Sequence, residues 1–285
     1  MSKKRKKHII TWSIIILVLL VAGWFSFGPG ISNNTPKQRV VTIGVVGESN
    51  SEQVIWQHVA QKAKRDYNII VKTKVFTDYN QPNKALRDGE IDLNAIQTTT
   101  FMHTWSKANH ANIVSIGKTY IAPIRLYSKK YHKLSQLPQG ATIAIPNDAA
   151  TESRALHVLK NAKLIRLTAG KKLKTVADIT SNPHHIKIKE VSDEQCARII
   201  NSVDAVIVNN DFAVPAGLGP KETIYVEPIN KESAGAINNI CTTAAKKNDP
   251  DYQDVVKCYQ TAETKKLYRK FYGSMQQAVW DVKLK

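Results

Sequence analysis

Polar residues capable of holding a small charged molecule gather at residues 47–51, 78–83, 147–154 and 209–211, each cluster following a short apolar run. They supply carboxylates (Asp78, Asp148, Asp211), amides (Asn80, Asn83, Asn147, Asn209, Asn210) and a guanidinium, Arg154. With free backbone N–H groups at helix starts beside them, such loops form the physical basis of a small-molecule site. Covalent chemistry is poorly provided for. The chain has no G-x-S-x-G, no H-E-x-x-H and no G-x-x-x-x-G-K-[ST], so neither a hydrolase elbow, a zinc protease helix nor a phosphate-binding loop is indicated. His184 and His185 are adjacent, so their side chains diverge, and no third ligand accompanies them; they read as a surface loop. The cysteines, Cys196, Cys241 and Cys258, show no C-x-x-C spacing. Pairing of Cys241 with Cys258 stays open, with buried structural thiols the simpler reading. No metal or cofactor is expected.

The elements that must position these clusters alternate along the chain. Strand-like runs at 40–46, 69–76, 91–96 and 113–116 are separated by helical segments at 51–65 and 97–109, with a short helix capped by Asp78 and stopped by Gly89. A second block opens near Pro123, with strands at 124–127, 142–145, 186–191 and 205–208 and helices at 151–162 and 193–201. Extended segments at 225–227 and 237–243 and helices at 251–259 and 264–272 complete it. Such alternation with short links predicts an α/β fold of mostly parallel sheets covered by helices. Ligands of such folds bind beyond the carboxyl ends of strands, where the polar clusters lie.

Ahead of these blocks, Lys3, Lys4, Arg5, Lys6 and Lys7 precede an apolar run at 9–27. Its length, about 28 Å as a helix, matches a bilayer core and predicts a transmembrane helix within residues 1–30. The cations favour a cytoplasmic amino terminus, which places the rest of the chain outside the cell. A cleaved signal peptide is the competing reading, but the run is long for one and Trp24 and Phe25 follow the small residues at once. No cysteine precedes Cys196, so attachment falls to the helix itself, with residues 31–39 as linker. The formal charge is +18, yet lysines are dispersed as pairs such as Lys129-Lys130 without a sustained basic helix, so no nucleic-acid partner is indicated.

Particular stretches carry a resemblance. Phe76-Thr77-Asp78-Tyr79-Asn80-Gln81-Pro82-Asn83, Asp88-Gly89-Glu90-Ile91-Asp92, Leu126-Tyr127-Ser128-Lys129-Lys130, Ile145-Pro146-Asn147-Asp148, Arg154-Ala155-Leu156 and Ala216-Gly217-Leu218 are similar, in order and spacing, to the MetQ/NlpA-type family, the methionine-binding components of bacterial ABC importers. The resemblance implies a two-lobed periplasmic-binding-protein-like fold, with residues 40–122 and 229–285 in lobe one and 123–228 in lobe two. It implies an amino acid held between the lobes and separate permease and ATPase subunits as partners. Tyr79 matches a tyrosine lining the family pocket, with a core tyrosine as its plain alternative. Arg154 matches the clamp for the ligand carboxylate, and Asn209 and Asn239 match asparagines that bind its polar groups; ordinary helix and turn roles are the alternatives. Gln97 is retained, but Ile96 and Thr98 replace the aromatic ring and histidine expected beside a thioether, a loss of about 0.3–1.5 kcal/mol of sulfur–aromatic contact. Arg125 stands where a small residue is usual and is expected to add positive charge to the cleft. The implied function is a membrane-anchored solute-binding protein for methionine, a related amino acid or a short peptide. An extracellular sensor or adhesin on the same lobes is the alternative, and a hydrolase a more remote one.

Overall fold

A computed structural model of the chain describes residues 39–47 and 49–284. The expected basic end, transmembrane helix and all but the last residue of the linker therefore lie outside the described residues. Among the described residues, no helix is long and apolar enough to cross a membrane.

The chain starts with β1 (Arg39–Val46), α1 (Asn50–Tyr67), β2 (Ile69–Phe76), α2 (Asn80–Arg87), β3 (Leu93–Thr98), α3 (Thr99–Ala108) and β4 (Ile113–Ile121). It then crosses into β5 (Arg125–Tyr127), β6 (Thr142–Pro146), α4 (Ala149–Asn161), β7 (Arg166–Leu167), β8 (Ile179–Ser181), β9 (Lys187–Val191), α5 (Asp193–Arg198), β10 (Ala205–Val208), α6 (Asn210–Ala213) and β11 (Thr223–Val226). It returns through β12 (Ile237–Thr243), α7 (Pro250–Tyr259), α8 (Ala262–Tyr272) and β13 (Gln277–Ala278). One sheet has the order β13-β4-β12-β3-β1-β2, the other β11-β5-β10-β6-β9, and β7 and β8 form a small ribbon.

The sheets are more mixed than the expected parallel ones. Parallel pairing is confined to β2–β1–β3 and β9–β6–β10. The pairs β3–β12, β12–β4, β4–β13, β5–β10 and β5–β11 are antiparallel. The cause is topological: β4 and β5 lead out of one sheet and into the other, and β11 and β12 lead back, so each return strand runs against its neighbour. The interior strand β10 is apolar and buried at every residue, whereas the edge strands β2 and β9 alternate apolar residues with exposed lysines.

Side-chain caps set the helix starts. Ser49 accepts from the Glu52 amide at the head of α1, which ends at Asn68 in the left-handed region at φ 54°. Asp148 accepts from the Ala150 and Thr151 amides, so α4 begins two residues before the expected start. Thr98 caps α3 in the same way, which leaves Gln97 and Thr98 at the end of a strand rather than inside a helix.

The lobes share packing. One apolar cluster joins Val41, Ile43 and Ile240 of the first sheet to Tyr127, Ala144, Val206 and Val208 of the second. Two side chains of the second lobe donate to consecutive carbonyls in the carboxyl-terminal part of the first: Arg125 Nη2 to Ser274 O at 2.9 Å and Asn210 Nδ2 to Met275 O at 2.7 Å. Arg125 is 3% exposed, and it does not add charge to the cleft as expected. Its place on β5, opposite Val208, turns it toward the Ser274 turn instead.

Gly47 closes the first loop at φ 78°, and a Cβ there would stand 2.6 Å from the Asp211 carbonyl oxygen across the lobe boundary. Gly47→Ala therefore combines a left-handed backbone penalty with a steric one. We expect it to lower the melting temperature by about 3–8 °C, on roughly 1–2 kcal/mol for the backbone alone; differential scanning calorimetry measures this.

Candidate functional site

A cavity of about 880 Å³ lies where the two sheets meet, walled by α3 and β4 of one lobe and by α4, α6 and the crossing segments of the other. Its size is in the range of small-molecule sites and exceeds a single amino acid. Of the residues singled out in the sequence, Tyr79, Ile96, Gln97, Thr98, Arg154 and Asn209 line it. Asn239 does not.

Tyr79 sits immediately before α2, 7% exposed, with its ring edge-on to Phe101 at 5.9 Å and to Phe212 of the other lobe at 5.1 Å. Its hydroxyl donates to Asp211 Oδ2 at 2.9 Å. It is thus a core residue on one edge and a wall residue on the other.

Gln97 is occupied from within. Its amide exchanges bonds with Asn83 at 3.0 and 2.9 Å and donates to Asn94 Oδ1 at 2.9 Å, while Asn94 Nδ2 donates to Asn83 Oδ1. This buried amide network stiffens the end of β3. Beside it, Ile96 is buried and Thr98 accepts from the Phe101 amide at 3.2 Å.

Arg154 departs most from expectation. Its Nε donates to Glu227 Oε1 at 2.9 Å, its Nη2 donates to Ala122 O at 2.7 Å, and Nη2 also closes on Glu227 Oε2. Glu227 Oε2 in turn accepts from the Ile124 amide at 3.0 Å. The two-pronged edge expected to clamp a ligand carboxylate is filled by a carboxylate of the chain itself. Nη1 makes no hydrogen bond among the described residues.

Asn209 caps no amide with its side chain; its Nδ2 donates to Asp193 Oδ1 at 2.9 Å. Asn239 is 2% exposed, with its amide held by Thr99, Ile237 and Ser115. Its neighbour Asn238 faces the cavity, because successive residues of a strand point to opposite sides.

Sequence reasoning also passed over Tyr120, Asn210, Asp211, Glu227 and Asn238, which all line the cavity. Asn210 and Asp211 stood in a polar cluster that was noted without being assigned a role. Tyr120 and Glu227 gave no local signal, since each acts through partners remote in sequence.

Electrostatically the inner wall is unusual for so basic a chain. Burial raises the Asp211 carboxyl from 3.8 to about 6 against the opposing phenols of Tyr79 and Tyr120. Glu52 is raised by burial and by Asp211, and Asp193 by burial and by Asp148. Burial lifts Asp148 as well. Among the described residues, no three His, Cys, Asp or Glu side chains are arranged to hold a metal ion. Cys196, Cys241 and Cys258 are free and buried, and burial raises all three thiols.

Two α/β lobes meeting over a polar cavity at their crossing segments define the fold of the two-lobed substrate-binding proteins. The chain belongs to the NlpA lipoprotein family, whose model matches residues 41–280. It is 36% identical over 230 residues to a probable D-methionine-binding lipoprotein MetQ of Pasteurella multocida, covering 80% of this chain and 82% of that protein. It is 32% identical over 252 residues to Lipoprotein 28 of Escherichia coli, covering 87% and 90%. Among solved structures, it resembles the substrate-binding protein of a methionine transporter from Streptococcus pneumoniae at 39% identity and a TM-score of 0.80, covering 85% of this chain and 96% of that one. A nutrient-binding protein of Burkholderia cenocepacia bound to methionine aligns at 37% identity and a TM-score of 0.79, covering 84% and 99%.

Two outcomes follow from this geometry. Arg154→Ala leaves Glu227 as an unpaired, largely buried charge and should destabilise the chain by roughly 2–4 kcal/mol in urea denaturation. The Arg154→Ala/Glu227→Ala pair should recover part of that loss in a double-mutant cycle. Asp211 has a folded value above its unfolded one, so its contribution to stability is full below about 4 and is lost as pH rises through about 6. Asp211→Asn should therefore raise the ligand-free stability at pH 7.5, by roughly 1–3 kcal/mol, and have little effect near pH 4. Melting curves at the two pH values measure the difference.

Proposed function

We propose that the chain is the solute-binding component of an ABC importer and takes methionine, a related amino acid or a short peptide into the cavity between its lobes. The supporting observation is the cavity itself, lined by Tyr79, Arg154 and Asn209 at the chain crossings, in a chain of the NlpA family whose relatives include proteins named for methionine. Arg154 Nη1 and the free amides at the head of α3 offer donors to the ligand carboxylate. Tyr79, Ile96 and Phe101 offer apolar surface for its side chain. Ile96 and Thr98 supply neither aromatic face nor imidazole, so the pocket is less tailored to a thioether than to an amino acid in general.

The apolar run at 9–27 would hold the binding domain on the outer side of the membrane, and permease and ATPase subunits would complete the importer. Movement of the lobes about segments 122–124 and 227–236 would exchange ligand with the permease.

Two measurements test this reading. Mass spectrometry of small molecules released by denaturing the purified chain should show methionine or another amino acid or peptide in near-stoichiometric amount. Recovery of a different compound class, such as a sugar, would reject it. Removal of residues 1–38 should leave a soluble, cooperatively folding protein with unchanged ligand affinity, because residues 41–278 supply the apolar core described between the lobes.

A further inference from the structure

The two crossings separate two cavities. Ala122 and Ile124 of the outgoing crossing, and Pro228 and Asn230 of the returning one, line the cavity between the lobes. The residues between them, Pro123 and Ile229, line a second cavity of about 420 Å³. The two cavities share no lining residue. The other wall of the second belongs to the first lobe and runs from α8 through β13 to Val282. On α8, Lys265, Tyr268 and Arg269 stand at spacings of three and four, which puts them on one helix face.

The chemistry of this second cavity is one-sided. Its lining includes two cations and no carboxylate. Lys265 is paired with Asp281, which stands outside the lining. The Arg269 guanidinium makes no hydrogen bond or ion pair among the described residues. Arg125 adds a charge of the same sign behind the wall: it is 3% exposed, donates to the carbonyl of the lining residue Ser274, and meets no carboxylate among the described residues. Its Nε is buried without a partner. Gln276 is 5% exposed and lines the cavity, and its side-chain amide also lacks a hydrogen-bond partner among the described residues. A nearly buried amide in that state keeps both a donor and an acceptor for an occupant. Beside these polar groups, Pro123, Ile229, Ala278 and Val282 supply apolar surface, of which Ile229 and Val282 are still exposed.

We propose that this second cavity binds a small organic anion, a carboxylate on a short apolar body, held by Arg269 and Gln276. The guanidinium fork matches the two oxygens of a carboxylate, and the amide adds a neutral donor. The apolar body takes Pro123, Ile229 and Val282 out of water. Neither half answers the whole lining: a bare anion leaves the apolar wall wet, and a neutral molecule leaves Arg269 unmatched. The site is separate from the interlobe cavity and does not depend on what that cavity holds.

The test uses the full-length chain in detergent with labelled isoleucine and valine methyl groups, whose NMR signals are followed during titration with isovalerate. Ile229 and Val282 report on the second cavity and Ile96 on the first. Isovalerate should shift the Ile229 and Val282 signals saturably and leave Ile96 unmoved. Isoamyl alcohol, which lacks the charge, should need about 10- to 100-fold more, the range of a charge-assisted hydrogen bond. Acetate, which lacks the body, should need about tenfold more. Arg269→Gln should raise the isovalerate midpoint by about 10- to 100-fold, and it should fold normally because that side chain is exposed and holds nothing in place. Gln276→Met, a change of similar shape, should raise the midpoint by about 2- to 10-fold. Equal midpoints for isovalerate and either comparison compound, or for the wild type and Arg269→Gln, would overturn the proposal. Shifts confined to Ile96, or no saturable shift at Ile229 and Val282, would overturn it as well.

Discussion

The Arg154–Glu227 ion pair ties the joint between the lobes together. Arg154 belongs to α4, Glu227 to the returning crossing, and their partners Ala122 and Ile124 to the outgoing one. A single charged contact thereby fastens one helix to both crossing segments. With side chains 15% and 12% exposed, the pair is shielded enough that removing one member leaves a costly lone charge. The same contact prepares the cavity. It fixes the guanidinium with one edge engaged and Nη1 left over, and it cancels the charge at that end. The Arg154 charge is then matched within the chain, whereas Asp211 meets only phenols.

A short stretch of the second lobe does the rest of the joining. Asn209 is held by Asp193 within its own lobe, Asn210 reaches the Met275 carbonyl, Asp211 meets Tyr79 and Tyr120, and Phe212 packs on the Tyr79 ring. Four consecutive side chains thus serve as an anchor within the lobe, a tether, a charge and a packing surface. The acidity gathered here is unfavourable to the ligand-free fold, since burial raises the carboxyls of Asp211, Glu52 and Asp193. Stability given up at a site in this way is a common mark of function.

Much of this was legible in the sequence, and the gaps have physical causes. Alternating apolar runs and capping residues located the strands and helices, and the polar clusters marked the loops that wall the cavity. One sheet draws its strands from residues 39–121 and 237–278, the other from 125–226. Antiparallel pairing at the crossings was not legible, because it depends on where a returning strand inserts. Asn239 was matched to a ligand-binding asparagine although its neighbour Asn238 is the one that lines the cavity, because a motif read along the chain does not report which side of a bulged strand each residue takes. Arg154 was read as a clamp for a ligand carboxylate because its partner in the chain lies 73 residues away and Glu227 has no local signature. Gln97 looked like a ligand contact, but the amides of Asn83 and Asn94, which occupy it, come together only when α2 packs on β3.

The most direct test of the account is calorimetric titration of the refolded, cargo-free protein with each of the twenty common amino acids and a set of dipeptides. The account predicts saturable one-to-one binding of at least one of them, with methionine foremost, and loss of that binding when lobe approach is blocked at Gly47. Heats indistinguishable from dilution for every compound would contradict it.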